Sequence, residues 1–267
     1  DANYDFVLNK ISKANNQNLK ISLESGNFIS SLAINYYENQ LSLVGFYSNE
    51  REGNIRGGCN FIINANSLSI TAKKNSELPK DVYEDLYGDA KAERHDKKKK
   101  ELNSFYVDYV VRDNIGNTFV LAEEFYVTQT YVATGMNGAG YWTTTYHYDD
   151  ILILKFDKSG EISWGRSIFK RSTVPSYNAF LKDDKLHVIL NSGKNLTEKS
   201  DGRTKVSKGW FESSALYDFT YSPDGKVEYN KIQDNKGNTY YLPFYGTYNL
   251  DKFIMMSDGG RKKQFMI

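Results

Sequence analysis

The chain has three histidines, the only side chains whose ordinary pKa puts their charge change near neutral pH. His95 falls in a charged stretch and reads as solvated. His187 alternates within a strand pattern and reads as structural. His147 is the one placed for chemistry, because Asp149 and Asp150 follow it and tyrosines flank it. A His-x-Asp pair can orient a general base or contribute to a metal site. No third ligand has recognisable spacing, however, and Asp149-Asp150 falls where a strand begins, so the structural reading is favoured. Glu123 and Glu124 are adjacent, which in a strand sends them to opposite faces and prevents them from pairing with each other. The one facing inward lines a core or a ring.

Other patterns resolve in the same direction. Asp113-Asn-Ile-Gly-Asn117 and Asp234-Asn-Lys-Gly-Asn238 lack the spaced acids and terminal Glu of a calcium loop, and read as turns. Cys59 follows Gly57-Gly58 with no basic activator beyond Arg56, which suits a small packed residue better than a nucleophile. A single cysteine also excludes an internal disulfide and any multi-cysteine metal site. No G-x-S-x-G, H-E-x-x-H, Walker or G-x-G-x-x-G motif is present. Asn195-Leu-Thr197 is a formal glycosylation sequon. The expectation is no catalytic residue, no metal and no cofactor.

Whatever these residues do, short strands must position them. Alternating segments flank turn residues along the chain: Asp5–Ile11 and Leu19–Leu23, Phe28–Tyr36 and Leu41–Tyr47, Asn60–Ile63 and Leu68–Ala72. Ile151–Phe156 and Ile162–Ile168, then Ala215–Tyr221 and Val227–Ile232, do the same. A second-strand motif recurs at 41, 119, 186 and 253, with spacings of 78, 67 and 67 residues. Four hairpins of each of two kinds give about sixteen strands, the strand arithmetic of β-propeller blades. The expected fold is all-β: a propeller-like array of about four four-stranded antiparallel blades in a single domain over 1–267. Four blades is small for a propeller, so the residues read as part of a longer chain. The segment Phe156-Asp-Lys-Ser-Gly-Glu-Ile-Ser-Trp164 resembles propeller turn-plus-tryptophan signatures but misses the sialidase Asp-box spacing. It supports architecture and gives no support to glycosidase activity.

Three insertions interrupt the repeat. Residues 78–102 predict one helix over 79–101, with Pro79 in its first turn and Val82, Leu86, Ala90, Tyr83 and Tyr87 on one stripe. Acids early and Lys97–Lys100 late complement the helix dipole. Seven bases balance seven acids in that segment, so it makes no basic patch. Residues 128–148 read as an extended Tyr/Thr ribbon with a tip near Gly135, Gly138 and Gly140. Residues 192–214, with Gly193, Gly202, Gly209 and Lys194, Lys199, Lys205, Lys208, read as a mobile surface excursion.

Composition sets the outer bounds. Charges of 34 Lys+Arg against 33 Asp+Glu provide no field for steering nucleic acid or an anionic membrane. A mean hydropathy of −0.60 and short apolar runs exclude a membrane-spanning helix. The aromatic share, 21 Tyr, 15 Phe and 3 Trp, favours half-buried pleated surfaces. No charged n-region followed by an apolar h-region opens the chain, so any signal peptide is expected to be absent already.

The block Phe105-Tyr-Val-Asp-Tyr-Val-Val-Arg-Asp-Asn-Ile-Gly-Asn-Thr-Phe-Val-Leu-Ala-Glu-Glu-Phe-Tyr126, the ribbon, and Tyr148-Asp-Asp-Ile-Leu-Ile-Leu-Lys-Phe-Asp-Lys-Ser-Gly-Glu-Ile-Ser-Trp164 together resemble a group of uncharacterised propeller-like cell-envelope proteins of Bacteroidota. The ending Ser257-Asp-Gly-Gly-Arg-Lys-Lys-Gln-Phe-Met-Ile267 is similar to the closing stretch of those proteins. The resemblance spans about two thirds of the chain and carries no catalytic residues. It implies an exported protein, periplasmic or outer-membrane associated, serving as an accessory or plug subunit of type 9 secretion machinery.

Two functional classes stand as expectations. The first is a non-enzymatic scaffold that binds a protein partner, with Tyr131, Tyr141, Trp142 and Tyr146 as anchors, since rigid aromatics carry much interface energy, and the helix over 79–101 as a second face. The alternative is a carbohydrate-binding or glycoside-processing propeller, in which Tyr and Trp stack on sugar faces.

Overall fold

The computed structural model describes residues 6–13, 15–50, 53–98, 100–134, 139–206, 212–259 and 262–267. Gly135, Gly138, Lys99, Lys208 and Gly209 lie outside the described residues. The fold is mostly β, with antiparallel sheets and two short helices. The chain divides into two compact units, one of Asp1–Ala122 with Leu152–Ser167, the other of Glu123–Ile151 with Ile168–Ile267.

In the first unit β1 (Phe6–Ile11) and β2 (Asn16–Ile21) form a two-stranded ladder. Next come β3 (Phe28–Tyr37), β4 (Gln40–Ser48), β5 (Asn54–Ile55), β6 (Gly57–Asn64) and β7 (Ser69–Glu77), of which β3-β4-β6-β7 make a four-stranded meander. Then follow α1 (Lys80–Tyr87), α2 (Asp89–Lys97) and β8 (Leu102–Asn103), which pairs with β5. A second meander joins β9 (Phe105–Arg112), β10 (Thr118–Ala133), β11 (Gly140–Phe156) and β12 (Ile162–Ile168). β10 and β11 contribute residues to both units.

Alternation along β4 explains its unbroken burial. Leu43 and Tyr47 enter one core with Cys59, Phe61, Ile63 and the β1-β2 residue Ile21. Val44 and Phe46 enter another, shared with Val82 and Leu86 of α1 and with Val120, Leu152, Leu154 and Phe156. The strand thus separates two apolar layers, one from each pleat face. Gly58 is glycine because a Cβ there would fall 2.6 Å from the Phe156 ring.

The helical segment departs from expectation. Two helices stand where one over 79–101 was expected, because Gly88 sits at φ 79°, ψ 159° and ends α1. Val82, Tyr83 and Leu86 are buried as their spacing predicts, but the break resets the phase: Ala90 is exposed and Ala92 is buried. Asp85 pins α1 to β12 through Arg166 (Nε 2.7 Å, Nη2 2.9 Å) and the Ser167 N–H at 2.9 Å. His95 is not solvated. It stacks on Tyr87 at 4.2 Å, and burial lowers its pKa.

In the second unit β13 (Tyr177–Lys182), β14 (Lys185–Gly193), β17 (Ser214–Tyr221) and β18 (Val227–Asp234) form a third meander, with β15 (Thr197–Glu198) and β16 (Thr204–Lys205) as a small hairpin between β14 and β17. The excursion expected over 192–214 is therefore partly strand-paired, with Val206 buried. β19 (Tyr241–Asn249), β20 (Lys252–Ser257) and β21 (Phe265–Met266) close the chain as a three-stranded sheet.

The repeat read from sequence coincides with sheet position. The segments starting at 41, 119, 186 and 253 lie in β4, β10, β14 and β20, each the second strand of its sheet. In the three four-stranded sheets the connection from second to third strand is the elaborated one, carrying β5, the ribbon, and β15-β16. The fourth sheet has three strands instead of four.

Candidate functional site

The outer parts of β10 and β11 are rich in Thr, Tyr and Val, residues that suit a pleated backbone. Successive side chains of a strand alternate between faces. Phe125, Val127, Gln129, Tyr131 and Ala133 therefore share one face of β10, and Trp142, Thr144, Tyr146 and Tyr148 share one face of β11. Ring contacts join these two rows. Tyr131 lies 5.3 Å from Trp142, and Phe125 lies 5.0 Å from Tyr148 and 6.5 Å from Tyr146.

The opposite rows are Tyr126, Thr128, Thr130 and Val132 with Tyr141, Thr143, Thr145 and His147. They are joined by the 2.9 Å hydrogen bond between Thr128 Oγ1 and His147 Nε2 and by the stack of Tyr126 on His147 at 4.4 Å. The ribbon thus has an aromatic face and a threonine-rich face.

Of the four anchors expected from sequence, Tyr131, Trp142 and Tyr146 fall together on the aromatic face, 44, 66 and 53 % exposed. Tyr141 is also exposed but belongs to the threonine face. Val127, 46 % exposed, joins the aromatic face and was missed. Counting alternate positions inward from Trp142 and Tyr131 finds it. Residues 128–148 contain no Asp, Glu, Lys or Arg, in a chain that is 25 % charged. The whole stretch therefore offers contact through rings, hydroxyls and backbone.

Charge is concentrated at the base of the ribbon. Glu123 and Glu124 do not pair with each other, as expected from their adjacency. Asp149 and Asp150 of β11 join Glu123 and Glu124 in one cluster. Two cations that follow β12 neutralise this group. Lys170 Nζ donates to Glu123 Oε1 at 2.7 Å and to the Tyr148 carbonyl at 2.6 Å. Arg171 Nη1 donates to Asp150 Oδ1 at 2.9 Å and lies 3.5 Å from Asp149 and 4.0 Å from Glu124. Tyr126 Oη donates to Asp149 Oδ2 at 2.9 Å.

Burial pushes the Asp150 carboxyl up to about 7, with Arg171 pulling it back and Glu124 and Asp149 reinforcing the rise. Burial also raises Glu124 and lowers Lys170. These groups are held by one another, which makes them a structural clamp.

The His147-x-Asp149 pair is not joined by a hydrogen bond. His147 bonds Thr128, whereas Asp149 accepts from Tyr126 and from the Ser172 N–H at 3.3 Å. His187 Nδ1 lies 2.8 Å from Asp218 Oδ2, a partner in β17 that linear spacing does not reveal. Cys59 is fully buried, and burial pushes its thiol up to about 12. Asp113 Oδ1 accepts the N–H groups of Ile115 and Asn117, a turn as expected. Among the described residues, no group of three or more His, Cys, Asp or Glu side chains is arranged to hold a metal, and no helix is long and apolar enough to cross a membrane. Compared with known protein families the chain matches no family model, and compared with curated proteins it matches none.

Proposed function

We propose that this chain is a non-enzymatic, propeller-like scaffold that binds a protein partner through the aromatic face of its ribbon. The observation that carries the reading is the grouping of Tyr131, Trp142, Tyr146 and Val127 on one uncharged face, each about half exposed or more. Rigid aromatic side chains lose little conformational freedom on contact and dominate interface energies. The strand ladder and the buried Glu123–Lys170 pair at its base hold the rings in place before any partner arrives, which lowers the cost of association.

Propeller-like architecture is supported by three four-stranded meanders and a recurring second strand. A setting in the cell envelope, and a role as plug or accessory subunit of a secretion translocon, rest on the resemblance of the blocks 105–126 and 148–164 described above.

A photo-crosslinking amino acid at Trp142 tests the reading, with the same group at Thr143 on the opposite face as control. In cells, Trp142 is expected to give one discrete protein adduct that Tyr131→Ser removes. Equal adducts from both positions, or none from Trp142, refute it.

A further inference from the structure

The second unit holds a cavity of about 450 Å³, inside the size range of small-ligand sites. Its lining comes from the third meander on one side and from the closing sheet on the other. Register explains the meander side. Phe180 of β13 stands opposite His187 of β14, and Asp218 of β17 stands opposite Ile189, so alternation brings all four to one face. On the other side β19 is bulged. Leu242 pairs with Met256 and Thr247 with Ile254, so the four residues Pro243 to Gly246 stand opposite the single Met255, which lines the cavity. Bulges bend a strand and are common beside binding sites.

Most of the wall is apolar and much of it is aromatic. The Phe180 ring stacks on Tyr248 at 4.4 Å and on Phe253 at 4.9 Å, and Met255, Met266 and Ile232 join them in the lining. Methionine sulfurs make favourable contacts with ring edges. The charged side chains of the lining cancel. Lys182 and Lys252 balance Asp218 and Asp251, which leaves no net charge beside a neutral His187. Two of the four are also engaged locally: Lys182 Nζ donates to the Asp251 carbonyl at 3.2 Å, and the Asp251 carboxylate accepts the Tyr248 hydroxyl at 3.1 Å.

One polar atom of the wall is left open. His187 Nδ1 lies 2.8 Å from Asp218 Oδ2, and the imidazole stacks on Phe180 at 5.2 Å. An ionised carboxylate only accepts, so Nδ1 carries the hydrogen and the neutral imidazole keeps its lone pair on Nε2. Nε2 has no hydrogen-bond partner among the described residues and, unlike Asp218 Oδ1, is not closed off from solvent. The cavity therefore presents a fixed acceptor in a largely aromatic wall.

Such a wall suits a flat, apolar ligand with one hydroxyl donor. A carboxylate would meet the Nε2 lone pair with no hydrogen to share. We propose that the cavity binds a neutral phenol, its hydroxyl donating to His187 Nε2 and its ring lying against Phe253 and Met266. This goes beyond the scaffold reading and does not depend on it, since none of these residues lies on the ribbon.

The test uses the full chain at pH 8 with 2-naphthol as the probe. Its control is 2-methoxynaphthalene, which keeps the rings and lacks the donor. In a fluorescence titration 2-naphthol is expected to bind about tenfold more tightly than the ether. In a two-bond proton–nitrogen NMR spectrum it is expected to shift the His187 Nε2 resonance, which the ether moves far less. Replacing the pair together, His187→Phe with Asp218→Leu, strands no charge and should bring 2-naphthol down to the affinity of the ether. Trp142→Ala should leave the affinity unchanged. Circular dichroism checks that the variants are folded, and the spectrum of the parent decides the matter if the double variant is not. Three results overturn the proposal: 2-naphthol does not bind at millimolar concentration, the two probes bind equally, or bound 2-naphthol leaves Nε2 unmoved.

Discussion

Asp150→Asn should stabilise the protein at alkaline pH and flatten its stability profile. Asp150 is 6 % exposed, and its carboxyl is pushed from 3.8 up to about 7, chiefly by burial. The charges acting on it are Arg171 after β12, Glu124 of β10 and its neighbour Asp149, and it accepts the Lys170 N–H at 3.2 Å. Because the folded pKa lies above the unfolded one, the folded state holds a proton that the unfolded chain has already released. The stabilising contribution of the neutral carboxyl is complete below pH 4 and is lost as pH rises through 7.

At about 1.4 kcal/mol per pH unit, the loss is on the order of 4 kcal/mol over the full range and about 3 kcal/mol between pH 5 and 8. Asparagine keeps an acceptor oxygen for Arg171 Nη1 and the Lys170 N–H and does not ionise. Its amide hydrogens need partners, which returns about 1–2 kcal/mol of the gain. The variant should therefore be roughly 2–3 kcal/mol more stable than the parent at pH 8 and within about 1 kcal/mol of it at pH 5. Urea unfolding followed by tryptophan fluorescence at pH 5, 6, 7 and 8 measures the difference, and unchanged m-values confirm that the unfolded reference is the same. A difference that does not vary with pH, or one that favours the parent at pH 8, refutes the assignment of a neutral carboxyl at 150.

Three further outcomes follow from the packing. Lys170→Met takes the cation away from the buried Glu123 carboxylate and should cost about 3–5 kcal/mol, and adding Glu123→Met should recover most of it. Both are read by urea unfolding at pH 7. Gly88→Ala forces a Cβ onto a backbone at φ 79° and should cost about 1–3 kcal/mol, measured as a fall in Tm, with no gain in helical circular dichroism. Cys59, buried and with its thiol near 12, should resist a thiol-specific disulfide reagent in the native protein and react only as it unfolds.

Much of the fold was legible because it is local. The turns at Tyr37–Gln40, Asp157–Gly160 and Ser222–Gly225 announce hairpins through residues that accept positive φ or bond their own backbone, and the strands overlap the alternating segments, although β2 begins at Asn16 inside the expected turn and β7 runs on to Glu77. The repeat marked the second strand of the three four-stranded sheets because β4, β14 and the first part of β10 are buried in an unbroken or nearly unbroken apolar run. The helix was harder. Its apolar stripe continued past Gly88 on paper, but one residue with positive φ resets the phase.

At the ribbon, Tyr131, Tyr141, Trp142 and Tyr146 were legible as a cluster of aromatic residues but their sides were not, because face assignment needs both strands placed together. Lys170 and Arg171 were invisible as partners of Glu123 and Asp150, being 47 and 21 residues away along the chain. The 243–246 bulge was equally hidden. Nothing in Pro-Phe-Tyr-Gly fixes how many residues the neighbouring strand will set against it.

The absence of charge from residues 128–148 has a kinetic consequence. Long-range attraction speeds the meeting of two proteins only when their surfaces carry opposing fields, and salt slows it for the same reason. A partner that lands on this ribbon has no such guide. Its association rate should sit in the unsteered range, about 10⁵–10⁶ M⁻¹s⁻¹, and should hardly change between dilute buffer and strong salt. The lifetime of the complex would then be set by how well the rings are covered. In an environment of fluctuating ionic strength, such a contact holds steady where one built on ion pairs would loosen.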